Sequence, residues 1–172
     1  QYRFQIAAED FDRDGYPDIA VATLEGRPML LRSVAGRYFD DVAPAMRLAR
    51  WQSTSRWAGF LVTWIDYDND GFPDLLMGDR LYHNVQGERF DDVTAASGLK
   101  IAHQPMGCAV ADYDCDGRLD LYILYQNPVP GSRPEELKQP WIGDNRTGVP
   151  NRLWRNEGDG RFRDVTAKTG AG

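Results

Sequence analysis

One pattern, Asp-x-Asp-x-Asp-Gly-x-x-Asp, occurs three times and constrains this chain more than any other feature. The copies run from Asp10 to Asp18, from Asp66 to Asp74 and from Asp112 to Asp120. Carboxylates two residues apart in a tight loop converge on one point, and the glycine at position six (Gly15, Gly71, Gly117) permits the positive φ that folds the loop back. The carbonyl at position seven (Tyr16, Phe72, Arg118) then faces the same point, and the Asp at position nine closes the shell. An all-oxygen shell of about six or seven ligands suits Ca²⁺ better than Mg²⁺. The expected ligands are therefore Asp10, Asp12, Asp14, Tyr16 and Asp18; Asp66, Asp68, Asp70, Phe72 and Asp74; and Asp112, Asp114, Asp116, Arg118 and Asp120. That makes three Ca²⁺ sites. No Cys or His stands at ligand spacing in the loops, which argues against zinc or copper. Plain Asp-Gly turns would account for one copy. They would not require four aspartates and a glycine to recur together three times.

An EF-hand loop begins in the same way but needs a bidentate Glu at position twelve. Position twelve here is Val21, Met77 and Ile123. The flanks are also wrong for helices. Phe60, Val62 and Trp64 alternate before the second loop, and Leu75-Leu76-Met77 follow it. Short apolar runs bounded by turn signals read as strands, so each loop is expected to be a turn between two β-strands.

The repeat extends beyond the loops. Period-two runs precede each loop: Phe4-Ile6-Ala8, Phe60-Val62-Trp64 and Met106-Cys108-Val110. Apolar triplets follow: Ile19-Ala20-Val21, Leu75-Leu76-Met77 and Leu121-Tyr122-Ile123. A third run (Met29–Leu31, Arg80–Asn84, Arg152–Asn156) and a fourth (Tyr38–Val42, Arg89–Val93, Arg161–Val165) complete four strands, A to D, in each unit. The loops begin 56 and 46 residues apart, a propeller-blade length. A β-solenoid is the alternative, but its rungs are shorter and lack the four-strand meander. The predicted fold is all-β: a β-propeller segment of three four-stranded antiparallel blades, about 1–43, 55–94 and 105–166, with metal loops at the A–B turns.

These units resemble FG-GAP (VCBS-type) repeats, the calcium-binding blades of integrin-α-like propellers. The three loops carry the resemblance, together with the endings Gly87-Glu88-Arg89-Phe90-Asp91-Asp92-Val93-Thr94 and Gly158-Asp159-Gly160-Arg161-Phe162-Arg163-Asp164-Val165-Thr166. The endings are most similar to secreted bacterial proteins with an ASPIC/UnbV segment and to cartilage-acidic-protein-like relatives. The resemblance implies the same calcium ligands. Family propellers commonly hold about seven blades, so three imply part of a larger propeller, completed by further blades or by copies of the chain.

The 172 residues are 42% hydrophobic, enough for a core. The net charge of −6 lies largely in the loops, and three Ca²⁺ would bring the formal total to about zero. No basic patch suggests nucleic acid. No run of about twenty apolar residues suggests a membrane span. The chain opens at Gln1 without an initiator Met or a signal peptide, the expectation for a processed or excised segment. Cys108 occupies an apolar strand position and Cys115 a tolerant loop position, with a bridge between them as the alternative. The aromatics at loop position two (Phe11, Tyr67, Tyr113) are expected to pack between blades.

Three connections interrupt the rhythm: residues 43–55, residues 95–105 and the proline-rich insertion at 126–151. The insertion carries an Asn145-Arg146-Thr147 sequon. In an up-down meander these connections share the face opposite the metal loops. That face gathers Arg50, Trp51, Arg56, Trp57, His103 and Trp141. Trp51, Arg56, Trp57, His103 and Trp141 are candidate partner-binding residues, because Trp and Arg favour binding hot spots. Packing of these links onto their own blades is the alternative. His83 and His103 pair with no nucleophile, and no acid/base carboxylate pair stands apart from the loops. The expected function is a non-catalytic calcium-binding module for adhesion, assembly, or protein or glycan interaction. The expected setting is extracellular, cell-surface or periplasmic. A carbohydrate-binding or glycan-cleaving propeller and a filament or lattice subunit are the alternatives.

Overall fold

A computed structural model describes residues 4–23, 27–48, 61–101, 105–125 and 150–172. The candidate partner-binding residues, residues 126–149 of the insertion and the Asn145 sequon lie outside the described residues, as does Phe60. The described strands follow the alternating apolar runs. They are β1 (Phe4–Glu9), β2 (Asp18–Thr23), β3 (Met29–Val34) and β4 (Tyr38–Asp41) in the first unit. The second has β5 (Val62–Ile65), β6 (Asp74–Met77), β7 (Arg80–Val85) and β8 (Arg89–Asp92). The third has β9 (Pro105–Ala111), β10 (Asp120–Tyr125), β11 (Arg152–Asn156) and β12 (Phe162–Asp164). Each unit is one antiparallel sheet with its strands in sequence order. The first strands lie side by side, β1 against β5 and β5 against β9. This is a β-propeller segment, with each metal loop at an A–B turn.

Two one-turn helices, α1 (Thr94–Ser97) and α2 (Thr166–Thr169), follow the last strands of units two and three. The strand-based reading did not anticipate them. Their origin is a local Asp-Val-Thr chemistry. The Asp92 carboxylate accepts from the Thr94 amide at 3.1 Å and its hydroxyl at 2.7 Å, while the Thr94 Oγ1 accepts from the Leu81 amide at 3.0 Å. Asp164 and Thr166 repeat the arrangement at 3.0 and 2.6 Å, with the Leu153 amide donating at 3.0 Å. Arg80 and Arg152 pair with Asp92 and Asp164 at 2.6 and 2.7 Å, tying strand C to strand D. Ala43 replaces the threonine in unit one, and no helix forms there.

The core lies between blades rather than within them. One cluster joins Phe11, Ala20, Ala22 and Leu30 of the first blade to Val62, Leu75, Met77, Tyr82 and Phe90 of the second. The other joins Ile65, Tyr67, Leu76 and Leu81 of the second blade to Leu121, Ile123, Trp154 and Phe162 of the third. All four residues of β6 are buried, because this strand is covered on both faces. The period of two divides them. Leu75 and Met77 face the first blade, and Leu76 faces the third. Linker residues fill the seams. Met46 and Leu48 join the first cluster, where the Met46 carbonyl accepts from the Phe90 amide at 3.0 Å, and Leu99 joins the second.

The aromatic at loop position two crosses to the next blade. Phe11 stacks on Trp64 at 6.3 Å and meets Phe90 at 5.8 Å; Tyr67 meets Phe162 at 6.2 Å. Tyr113 does not follow: it is 41% exposed, because no described residue covers the outer face of the third blade. The first blade is open on its opposite face. Phe39, the counterpart of buried Phe90 and Phe162, is 49% exposed, and Ile6, the counterpart of buried Val62, is 65% exposed.

An asparagine at the end of strand C reinforces each seam. The Asn84 amide nitrogen donates to the Phe11 carbonyl at 2.8 Å and to the Pro73 carbonyl at 2.9 Å, while its Oδ1 accepts from the Gly87 amide at 2.8 Å. Asn156 donates to the Tyr67 carbonyl at 2.7 Å and the Leu119 carbonyl at 3.2 Å, and accepts from Gly158 at 3.0 Å. Both asparagines are fully buried. A Cβ at Gly87, whose φ is +76°, would stand 2.9 Å from the Asp12 backbone, so this turn presses on the preceding metal loop. The first blade has Ser33 at the equivalent position, too short to repeat the bridge. Asn84→Ala and Asn156→Ala should each cost about 2–3 kcal/mol in denaturant unfolding, from orphaned buried groups, whereas Ser33→Ala should cost under about 1 kcal/mol.

Candidate metal centres

Each loop is built by Asx turns before any cation is considered. The Asp10 carboxylate accepts from the amides of Asp14 (3.1 Å) and Gly15 (2.9 Å), and Asp14 accepts from Tyr16 (2.9 Å). Asp66 accepts from Gly71 at 3.0 Å and Asp70 from Phe72 at 2.8 Å. Asp112 accepts from Asp116 at 3.0 Å and Gly117 at 2.8 Å, and Asp116 from Arg118 at 3.0 Å. The glycine at position six has φ between +85° and +91° in the three copies. Position four is also left-handed, with φ of 58–59° at Arg13, Asn69 and Cys115. Only Asn69 suits that conformation by type.

The left-handed residue reaches toward the neighbouring loop. The Arg13 guanidinium lies 4.8 Å from the Phe72 ring centre, and the Asn69 amide nitrogen donates to the Gly117 carbonyl at 3.0 Å. The loops thus form a continuous row. Cys115 is exposed and Cys108 half-buried. Both are free, so the alternative of a bridge is not realised. Burial pushes the Cys108 thiol up to about 12.

The position-nine aspartates are almost completely buried: Asp18 and Asp74 at 0% and Asp120 at 1% exposure. One oxygen of each accepts the amide of loop position two, at 3.2 Å from Phe11 and 3.1 Å from Tyr67 and Tyr113. The other accepts the strand C amide of Ser33 (2.7 Å), Asn84 (2.7 Å) or Asn156 (2.8 Å). These carboxylates therefore tie loop to sheet as well as facing the loop centre.

Carboxylate oxygens gather in threes in each loop. Ligand atoms of Asp10, Asp12 and Asp18 lie within 4.8 Å of one another, as do those of Asp66, Asp68 and Asp70, and those of Asp112, Asp114 and Asp120. Asp14 and Asp116, at position five, stand outside these groups, Asp116 because arginines hold it. The residues at position seven contribute no side-chain ligand: Tyr16 is exposed, Phe72 carries Arg13, and Arg118 pairs with Asp116. Asp66 Oδ1 is buried without a hydrogen-bond partner. An all-oxygen donor set with an orphaned buried oxygen fits a hard divalent cation.

The fold also brings in residues that loop spacing did not. His83 Nδ1 lies 3.1 Å from Asp74 and 3.3 Å from Asp68, close enough to share a cation with them. No histidine stands at ligand spacing within a loop, but strand pairing brings His83 to the second. His83 on β7 is nine residues from Asp74 on β6 in sequence, and the two strands are adjacent in the sheet. In the third blade Arg155 occupies the same strand position and reaches Asp114 at 2.7 Å and Asp116 at 2.8 Å. A basic residue before the seam Asn or Ser (Arg32, His83, Arg155) is the signal that could have revealed this.

Burial raises the proton affinity of the position-nine carboxylates. The Asp18 carboxyl is pushed up to about 6, chiefly by desolvation and then by Asp12 and Asp14, against two backbone hydrogen bonds that lower it. Asp74 and Asp120 move the same way for the same first cause. A carboxyl that binds its proton more tightly folded than unfolded adds stability at low pH, and that stability is lost as pH rises through the folded value. In chelator, the melting temperature should therefore be higher at about pH 5.5 than at about pH 7.5, checked by calorimetry across that window. In the same buffer Asp74→Ala should cost about 2–4 kcal/mol, by orphaning the Tyr67 and Asn84 amides. Asp70→Ala should cost little until a cation is added.

The FG-GAP-like repeat family matches residues 10–77, from the first metal loop through the second strand of the second blade. No curated protein matches the chain. The match spans the first two loops, and the third unit, outside it, repeats their sheet order and their loop.

Proposed function

We propose that the chain is a non-catalytic calcium-binding propeller module that works outside the cytoplasm, in adhesion or assembly. The observation that carries this reading is the threefold convergence of carboxylate oxygens at the same turn of each blade, in the first two loops against the seam to the next blade. The ion would be held by the aspartates at positions one, three, five and nine, with the position-seven carbonyl. When bound, Ca²⁺ supplies countercharge and a fixed cross-link. The protein's own part is to bury the position-nine carboxylate, hold the others around it and transmit loop order to the next blade. Loops of this kind in extracellular modules bind at about 10⁻⁴–10⁻³ M, a range that the outside of a cell can fill. Among the described residues no helix is long and apolar enough to cross a membrane.

The open outer faces support assembly with further blades. The third blade offers Tyr113 and its backbone to a neighbour bearing a strand D phenylalanine and a strand C asparagine. The first blade offers Ile6 and Phe39. The partner class is another blade of the same repeat.

Adding about 5 mM Ca²⁺ to chelated protein should raise the melting temperature by several degrees, in line with ligand linkage. An unmoved melting curve together with no calcium in a metal assay would overturn the reading. Phe39→Asp combined with Ile6→Asp should abolish concentration-dependent association in sedimentation while leaving calcium binding intact. Association that persists in this variant would remove the first blade's outer face from the assembly.

A further inference from the structure

The three loops differ in countercharge. In loop three Arg155, from β11, places Nε 2.7 Å from Asp114 Oδ2 and Nη2 2.8 Å from Asp116 Oδ2. Arg118, inside the loop, pairs with the same Asp116 oxygen and donates through Nε to the Asn156 carbonyl at 3.1 Å. Loop positions three and five are thus both engaged by guanidinium groups. Loop two has a single imidazole nitrogen, from His83, and a neutral Phe72 at position seven. In loop one Arg32 makes no ion pair with Asp12 or Asp14, and position seven is Tyr16.

We propose that loop three is latched by its own arginines: it keeps its shape without a cation and, of the three calcium sites, fills last. The inference rests on the calcium reading above. Arginine remains charged at every accessible pH, so its countercharge is permanent. Loop three carries four carboxylates like the others, but two guanidinium groups halve its formal charge. A cation entering it either displaces a guanidinium from Asp114 and Asp116 or accepts a half-neutralised shell. Oxygen sites are graded in affinity by ligand charge and rigidity. The same ion pairs remove the repulsion that loosens a metal-free loop. Loops one and two therefore depend on calcium for order, and loop three does not.

Calorimetric titration of the intact chain separates the steps. The unmodified protein should bind two calcium equivalents and then a third about ten-fold more weakly, the scale expected for altered ligand charge. In Arg118→Ala/Arg155→Ala the weak step should move to within about three-fold of the others. Three equal steps in the unmodified protein, or a weak step that stays put in the variant, would overturn the proposal. Calcium heats absent from both proteins would instead remove the calcium reading, and this inference with it. A second measurement needs no variant. Crystals of the unmodified protein soaked in limiting calcium should show the lowest anomalous occupancy in loop three. Equal or highest occupancy there refutes the order of filling.

Discussion

The rest of the structure depends on a buried carboxylate at the ninth position of each loop. Asp18, Asp74 and Asp120 each bond one amide of their own loop and one of strand C. A carboxylate removed from water must be compensated, and two amide donors compensate only part of its charge. The other loop carboxylates add to that demand rather than meeting it, and they gather where a cation would balance all of them. The loop cannot be redesigned without disturbing the sheet, because the same two oxygens serve both. The seam asparagine lies one peptide from this point. Its amide proton goes to the aspartate and its side chain to the preceding blade.

This arrangement makes the contact between blades directional. Each blade offers a loop aromatic and a loop carbonyl to the blade after it, and a strand C asparagine and a strand D phenylalanine to the blade before it. The sequence departs from that rule at Ser33, where the first blade has no donor of sufficient reach. The face that bears Ser33 also exposes Ile6 and Phe39. The seam at the first blade, with whatever neighbour, is apolar without the amide bridge that aligns the other two. It is a less specific joint than those inside the segment.

Much of the fold was legible because period-two alternation, turn glycines and the loop motif agree with one another at Val62–Ile65, Asp74–Met77 and their counterparts. The ligand carboxylates were legible for the same reason: their spacing is local. The asparagines, His83 and Arg155 were not, since they reach the loops through strand C. The connection that precedes strand C varies widely in length, and the insertion separates Asp120 from Asn156 by 36 positions. Tyr113 was read as packed from its repeat position alone, but its burial requires a neighbour on the outer face. The helices α1 and α2 escaped notice because a single turn held by an Asp-Val-Thr side-chain network has no hydrophobic period to detect.

The sequence repeat and the physical unit of this protein are therefore out of phase. One sequence unit runs from strand A to strand D of a single sheet. One closed unit of packing begins at a metal loop and ends at strand D of the following sheet, since Phe11 is buried by Phe90 and its carbonyl is satisfied by Asn84. Blades exchanged between proteins at the sheet boundary would carry half of each seam from different sources, and a mismatched aromatic or asparagine would be trapped in the join. Exchanges made just ahead of a metal loop would transfer the loop aromatic, the next sheet's asparagine and its phenylalanine together. Such repeats should shuffle more readily at the loops than at the points where the sequence motif appears to start and stop.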